Sequence, residues 1–270
     1  MVITWYDGDC REILKTIPDK SIDFVVTSPP YNIGKDYEVY KDNISHEEYL
    51  EFMNTVIKEL YRIVVDDGRI AFNVPHVTKD IRELRGNKSF PIVDFLNLFF
   101  KNEFNIREII TWFKSSDENH FSGGSTAWGS WCSASNPHLR GQVETIIVAN
   151  KGSWKKESGS KISDITTEEF KIWTKSAWFI HAETNRDHPA PFPIDIPLRL
   201  IKLYTFVGDI VLDPFVGSGT TLRACEISNR NGIGIDINPE YKNNMRHKRF
   251  VFDEINKNTY KVRRRKSLFN

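Results

Sequence analysis

Gly208-Asp209-Ile210-Val211-Leu212-Asp213-Pro214-Phe215-Val216-Gly217-Ser218-Gly219 is the stretch that decides the fold. Ile210-Val211-Leu212 is a short apolar run and reads as a buried strand. Asp213 to Gly219 is a turn, and Thr220 to Ser228 has helical character. Gly232-Ile233-Gly234-Ile235 is the next strand, ending at Asp236. Strand, turn, helix and strand make a β–α–β unit, so the chain is α/β with parallel strands. In open sheets of this kind, ligands bind outside the carboxyl ends of the strands.

The turn itself narrows the ligand. Gly217 and Gly219 allow close backbone approach, and N–H groups at a helix start face polar or anionic groups. Asp236, 19 residues after Gly217, stands where an acid accepts hydrogen bonds from ribose hydroxyls. The third glycine of a dinucleotide fingerprint is missing, because position 222 is Leu222. Asp213 adds a carboxylate that a pyrophosphate would repel and an ammonium would attract. A ligand with a ribose and a cationic amine fits both, and S-adenosylmethionine has both. On this reading Asp213 can be removed without losing the fold. The alternative is that Asp213 caps the turn.

A second strand end stands out earlier. Ile22-Asp23-Phe24-Val25-Val26 is apolar and β-branched, and Thr27-Ser28-Pro29-Pro30-Tyr31 follows it. The prolines fix φ and carry no N–H, so the turn can present carbonyl oxygens without competing donors. Ser28 adds a hydroxyl and Tyr31 an aromatic face. The set suits an amino group on a flat ring. The alternative is a proline-rich strand end with a buried tyrosine.

The remaining chain supplies the frame. Residues 2–6 read as a strand, Asp7-Gly8-Asp9-Cys10 as a turn, and 11–17 as a helix. Ser45 and Glu48 form a capping-box pattern ahead of Leu50, Met53, Ile57, Leu60 and Val64, the apolar stripe of an amphipathic helix. Asp66-Asp67-Gly68 is expected to close that helix before a strand at 69–74. A helix at 90–100, strands at 106–113 and 143–149, and a helix at 195–204 complete the pattern. All 270 residues are expected to form one domain. Within it, 115–142 is a long aperiodic loop and 152–187 a small insert. Neither is needed for the sheet on this reading, so both are expected to contact a partner.

Composition bounds the rest. No apolar run approaches a membrane span and no signal peptide is evident at the N-terminus. Cys10, Cys132 and Cys225 have neither zinc spacing nor an even count for disulfides. No metal is expected, and the expected compartment is the cytoplasm. Net charge is +1, but residues 242–270 hold ten Lys or Arg against two Asp or Glu. Arg263, Arg264 and Arg265 lie in that basic stretch. It reads either as a phosphate-neutralising patch or as a solvated terminus.

Taken together, Asp213-Pro214-Phe215-Val216-Gly217-Ser218-Gly219-Thr220-Thr221 resembles the cofactor motif of DNA amino-methyltransferases. Thr27-Ser28-Pro29-Pro30-Tyr31 resembles their catalytic motif. The catalytic motif comes first and the cofactor motif about 190 residues later, an order similar to that of the β class. The fold it implies is a Rossmann-like methyltransferase sheet in permuted order. Asp7 to Cys10, His188 to Pro193 and Asp236 to Pro239 match in position and type. The resemblance implies that Asp213 meets the methionine amine. It implies a backbone cradle of Phe215, Gly217, Ser218 and Gly219, with Thr220 at the carboxylate. Asp236 would hold the ribose, and Ile237 would lie against the adenine. Asp9 and Cys10 would meet the adenine edge, and Phe192 would pack beside the cofactor. For Ile237 and Phe192 ordinary core packing is the alternative.

The implied reaction is methyl transfer to the exocyclic amine of a base flipped out of double-stranded DNA. Ser28 and the Pro29 carbonyl would accept the amine's hydrogens, Pro30 would stiffen the turn, and Tyr31 would stack on the base. Serine at 28 resembles the N4-cytosine group, as do His188 to Pro193 and Ser125 to Ser130. N6-adenine is the alternative, because both bases present a similar amidine edge. A non-catalytic DNA reader is a further alternative, though it predicts a broken catalytic turn. Trp128 and Arg140 are the candidates for base readout or for filling the gap left by flipping. A monomer or homodimer is expected, with a cognate restriction endonuclease as a partner protein.

Overall fold

The computed structural model describes residues 1–33, 42–76, 90–115, 130–137, 141–183, 193–243 and 250–264. Among the described residues, ten strands form one sheet with six helices around it. The strands are β1 (Ile3–Asp7), β2 (Ile22–Thr27), β3 (Val64–Pro75), β4 (Asn105–Phe113), β5 (Val143–Asn150), β6 (Ala177–Phe179), β7 (Ile210–Asp213), β8 (Asn231–Asp236), β9 (Phe250–Asn256) and β10 (Thr259–Arg264). The helices are α1 (Cys10–Thr16), α2 (His46–Ile63), α3 (Pro91–Lys101), α4 (Thr167–Trp173), α5 (Asp195–Tyr204) and α6 (Thr220–Ile227). None of the described helices is long and apolar enough to cross a membrane.

The sheet order is β6-β4-β5-β3-β2-β7-β8-β1-β10-β9. Its centre, β3-β2-β7-β8-β1, is parallel. Central strands are covered on both faces, which is why they read as unbroken apolar runs. β2 shows how one strand feeds two cores. Phe24 and Val26 face the layer holding Ile196, Leu200 and Leu222 of α5 and α6. Val25, between them, faces the layer holding Leu14, Met53, Ile57 and Phe95 of α1, α2 and α3. That is the period of two expected for a strand. β2 pairs with β7 through Phe24↔Val211 and Val25↔Leu212. The carboxyl ends of β2 and β7 therefore lie side by side, although their turns are far apart in sequence.

The capping box forms as expected, with Ser45 accepting from Glu48 N and Glu48 from Ser45 N. The end of α2 differs. Val64 is already extended and opens β3, so Asp66-Asp67-Gly68 lies inside the strand. The β-branched pair Val64-Val65 prefers the extended chain. A Cβ at Gly68 would sit 2.4 Å from Val64 Cγ1, so glycine there permits a tight fold-back rather than a helix stop.

The 152–187 segment also differs from the expected insert. It supplies α4 and the edge strand β6, which pairs with β4 through Trp112↔Trp178. Trp178 is buried, and Trp112 Nε1 donates to Ile180 O at 2.8 Å. Lys156, with its side chain 4% exposed, lies between Asp23 and Asp209 at 3.6 and 3.5 Å. Trp178 and Lys156 anchor this segment to the sheet.

The basic C-terminal stretch is not a loose end as far as Arg264. β9 and β10 form an antiparallel hairpin that extends the sheet beyond β1. Phe252 and Val262 enter the core, with Phe252 edge-on to Trp5 at 5.9 Å.

Candidate active site

A cleft of about 530 Å³ opens at the carboxyl ends of the parallel strands. Residues from both sequence motifs line it. Ser28, Pro29, Pro30 and Tyr31 come from the turn after β2. Asp9 and Cys10 come from the start of α1, Phe215 from the turn after β7, and Asp236 and Ile237 from the end of β8. One wall is aromatic, with Phe52 and Phe215 ring centres 6.0 Å apart and the Arg11 guanidinium 5.2 Å from the Phe52 centre. Ile237 is 43% exposed, so ordinary core packing does not describe it.

Asp236 is fixed by the glycine turn. Its carboxylate accepts Gly217 N and Asn238 N, each at 2.8 Å. Burial pushes the carboxyl up to about 7 in spite of these two bonds. A carboxyl in this state gains from further donors such as ribose hydroxyls, which favour its charged form. Gly219, at φ 80°, caps α6 in the left-handed region. Asp9 caps α1 through Arg11 N at 2.9 Å. Burial raises its carboxyl, but the Arg11 bonds outweigh burial and hold it below the usual range. Burial pushes the Cys10 thiol up, so it stays protonated and is no nucleophile.

Asp213 is buried and is not among the cleft-lining residues. Its Oδ1 accepts Thr27 Oγ1 at 2.6 Å and Phe215 N at 3.0 Å, and its Oδ2 accepts Thr221 Oγ1 at 2.5 Å. Burial pushes it up to about 6. These contacts are those of the turn-capping alternative. Gly217, Ser218, Gly219 and Thr220 form the turn and the first residue of α6 but are not cleft-lining. Ser218 Oγ and Thr220 Oγ1 lie 3.4 Å apart.

The turn after β2 carries a polar network absent from the sequence reading. Ser28 Oγ lies 2.7 Å from Tyr31 Oη. Tyr31 Oη also meets Glu144 Oε2 at 3.1 Å and Asn73 Nδ2 at 3.0 Å. Glu144 Oε2 accepts Asn73 Nδ2 at 2.5 Å, and its Oε1 pairs with Lys114 Nζ at 2.6 Å. The Pro30 carbonyl is taken by Tyr49 Oη at 2.8 Å. Asn73 carried a readable signal as a polar residue inside the apolar run Ile70-Ala71-Phe72-Asn73-Val74. Glu144 and Lys114 carried none. Only the sheet register, with Glu144 opposite both Pro75 and Trp112, brings them to this edge.

Arg263 is exposed and pairs with Asp253 across the hairpin at 2.5 Å. Arg264 ends β10. Trp128, Arg140, Phe192 and Arg265 lie outside the described residues.

Comparison with known proteins gives the family. Residues 22–247 match a family profile described as DNA methylase, of the N6/N4 type. The chain is 37% identical over 171 residues to the type II methyltransferase M.MjaVI of Methanocaldococcus jannaschii, covering 63% of this chain and 82% of that one. It is 31% identical to the type II methyltransferase M.BglII of Bacillus subtilis, covering 87% of this chain and 66% of that one. Among solved structures, TTHA0409 of Thermus thermophilus, complexed with S-adenosyl-L-methionine, superposes with a TM-score of 0.68. It is 27% identical, with 90% of this chain and 93% of that one covered. The PvuII cytosine-N4-specific DNA methyltransferase shares the fold, with a TM-score of 0.67 at 24% identity over 89% of this chain and 84% of that one. A profile match across most of the length, joined to a relative matched over most of its own, assigns the chain to the N6/N4 DNA methylase family.

Proposed function

We propose that this DNA methylase transfers a methyl group from S-adenosylmethionine to the exocyclic N4 amine of a cytosine flipped out of double-stranded DNA. The observation that carries the reading is the meeting of Ser28-Pro29-Pro30-Tyr31 and Asp236 on one cleft.

The cofactor fits this cleft's chemistry. Asp236 is a half-buried acid on the cleft with capacity for ribose donors, Ile237 and Phe52 offer apolar surface, and Asp9 offers a carboxylate edge. These residues would hold the nucleoside end. The turn at Gly217–Thr220 and the start of α6 would receive the amino-acid end, with Asp213 holding the turn in shape. When bound, the cofactor supplies an electrophilic methyl on a sulfonium sulfur.

The protein's own residues position the amine. An exocyclic amine is a weak nucleophile because its lone pair is delocalised into the ring. Ser28 Oγ and the Pro29 carbonyl accept its hydrogens and favour a more pyramidal nitrogen. Placed acceptors and orientation are the main requirements for direct displacement. Tyr31, on the same wall, gives the flipped ring a stacking face. A neutral serine at 28 and the resemblance to the N4-cytosine group support cytosine over adenine.

DNA is the substrate, and a restriction endonuclease of the same specificity is the proposed partner by analogy with the type II relatives. Segments 115–142 and 152–187, with Trp128 and Arg140, are proposed to read the site. Trp131, 69% exposed, joins them. Arg263, Arg264 and Arg265 are proposed phosphate contacts. The test is incubation with labelled S-adenosylmethionine and mixed-sequence duplex DNA, followed by hydrolysis to nucleosides. N4-methylcytosine is expected. N6-methyladenine alone would overturn the base assignment, and no labelled DNA would overturn the activity.

A further inference from the structure

Glu144 accepts from Tyr31 of the turn after β2, and its position restricts what Ser28 can do. An ionised carboxylate only accepts. Tyr31 has a single hydroxyl proton, and its Oη lies 3.1 Å from Glu144 Oε2. The Asn73 carbonyl, at 3.4 Å from the same Oη, is a longer and uncharged competitor for that proton. Asn73 Nδ2 meets Tyr31 Oη at 3.0 Å as a donor, so Tyr31 accepts there. With its proton given to Glu144, Tyr31 can only accept across the 2.7 Å contact with Ser28. Ser28 must then be the donor, which leaves its oxygen free to accept, from the Asn73 amide at 3.4 Å and from a group in the cleft that Ser28 lines. Lys114, its side chain 25% exposed, holds the far carboxylate oxygen at 2.6 Å and carries the network toward solvent.

We infer that Glu144, held by Lys114, is a positioning residue that sets the direction of the Ser28–Tyr31 hydrogen bond and receives the proton released by the methylated amine. The inference rests on the role given to Ser28 above. Methyl transfer leaves one proton too many on the nitrogen. That N–H bond breaks as Ser28 gains the proton. The Ser28 proton passes to Tyr31, and the Tyr31 proton passes to Glu144. Glu144, 12% exposed, ends neutral and returns its proton to bulk water. No oxidant or reductant is involved.

Glu144→Gln keeps the shape but adds a donor. The position beside Tyr31 also accepts Asn73 Nδ2 at 2.5 Å, so the glutamine oxygen stays there, neutral and a far weaker base, while its amide is set against the Lys114 ammonium, and the released proton loses its acceptor. Single-turnover transfer at saturating DNA and cofactor is expected to fall about ten- to a hundredfold. Affinity for S-adenosylhomocysteine and for duplex DNA, and the melting temperature, should stay as in the wild type. Tyr31→Phe should slow the same step. The double variant Tyr31→Phe/Glu144→Gln should lose no more than the worse single one, because one relay is broken once. Lys114→Met approaches the network from its solvent side and should slow the same step in a folded protein, whether or not Glu144→Gln folds. Full rate in Glu144→Gln or in Lys114→Met, or losses that simply add, would overturn the inference. Ser28→Ala in the same assay separates the two readings. If it transfers at full rate, the reading of the catalytic turn fails. If it is slow while Glu144→Gln is fast, only the relay fails.

Discussion

The Thr27 hydroxyl donates to Asp213 Oδ1 at 2.6 Å, joining the ends of two neighbouring parallel strands across 186 residues of chain. With Thr221 on the other carboxylate oxygen, Asp213 ties β2, β7 and α6 together beneath both motifs.

Asp213→Ala is therefore expected to destabilise the protein, in contrast to the expectation drawn from sequence. Three donors lose their acceptor in a buried site, at a combined cost of about 3 kcal/mol or more. Urea denaturation measures this. An unchanged midpoint with lost cofactor affinity would restore Asp213 as a ligand residue without a structural role.

Asp213 and Asp236 also give stability a pH dependence. Burial raises both, to about 6 and about 7, above the 3.8 of the free side chain. The folded state keeps protons that the unfolded chain has released. Stability from these groups is full below about pH 4 and is lost as pH rises through 6 and 7. Asp9 and Glu169, both lowered, act oppositely and only toward acid. Denaturation of the free protein between pH 5 and 8 should show declining stability. Asp236→Asn should flatten the upper part of that decline.

Cofactor binding should respond in the opposite sense. Ribose hydroxyls favour ionised Asp236, so binding releases protons and tightens as pH rises through 7. Calorimetry in buffers of different ionisation enthalpy measures the release. Proton uptake on binding would contradict the placement of Asp236.

The basic end calls for a narrower cut than its charge suggests. Removing 261–270 would strip most of β10 from β1 and uncover Phe252 and Trp5. Removing 265–270 spares the hairpin and deletes only Arg265 and Lys266 as formal cations. Non-specific DNA affinity should drop evenly across sequences. Its log–log salt slope should become shallower by about two. An unaltered slope would leave these residues as solvated charges.

Much of this architecture was legible because its signals are local. The capping box at Ser45 and Glu48, the glycine turn, and the proline-stopped strand each lie within a few residues. Both motif turns could therefore be placed at strand ends, and the two strands proved to be neighbours. What stayed hidden depends on pairing over distance. Segment 152–187 looked dispensable to the sheet because nothing local shows that β6 adds to β4. Glu144 and Lys114 are ordinary surface types until β4 and β5 pair. Asp213 was read by its charge, and only the contact with Thr27 reveals how fully its oxygens are occupied.

The central claim is that Ser28 accepts a hydrogen bond from the target amine, and single-turnover methyl transfer by Ser28→Ala tests it most directly. The rate per folded molecule should fall about a hundredfold or more, with affinity for DNA and S-adenosylhomocysteine little changed. A rate equal to the wild type, with only a loss of about 1 kcal/mol in stability, would contradict the account and leave Ser28 as a turn residue.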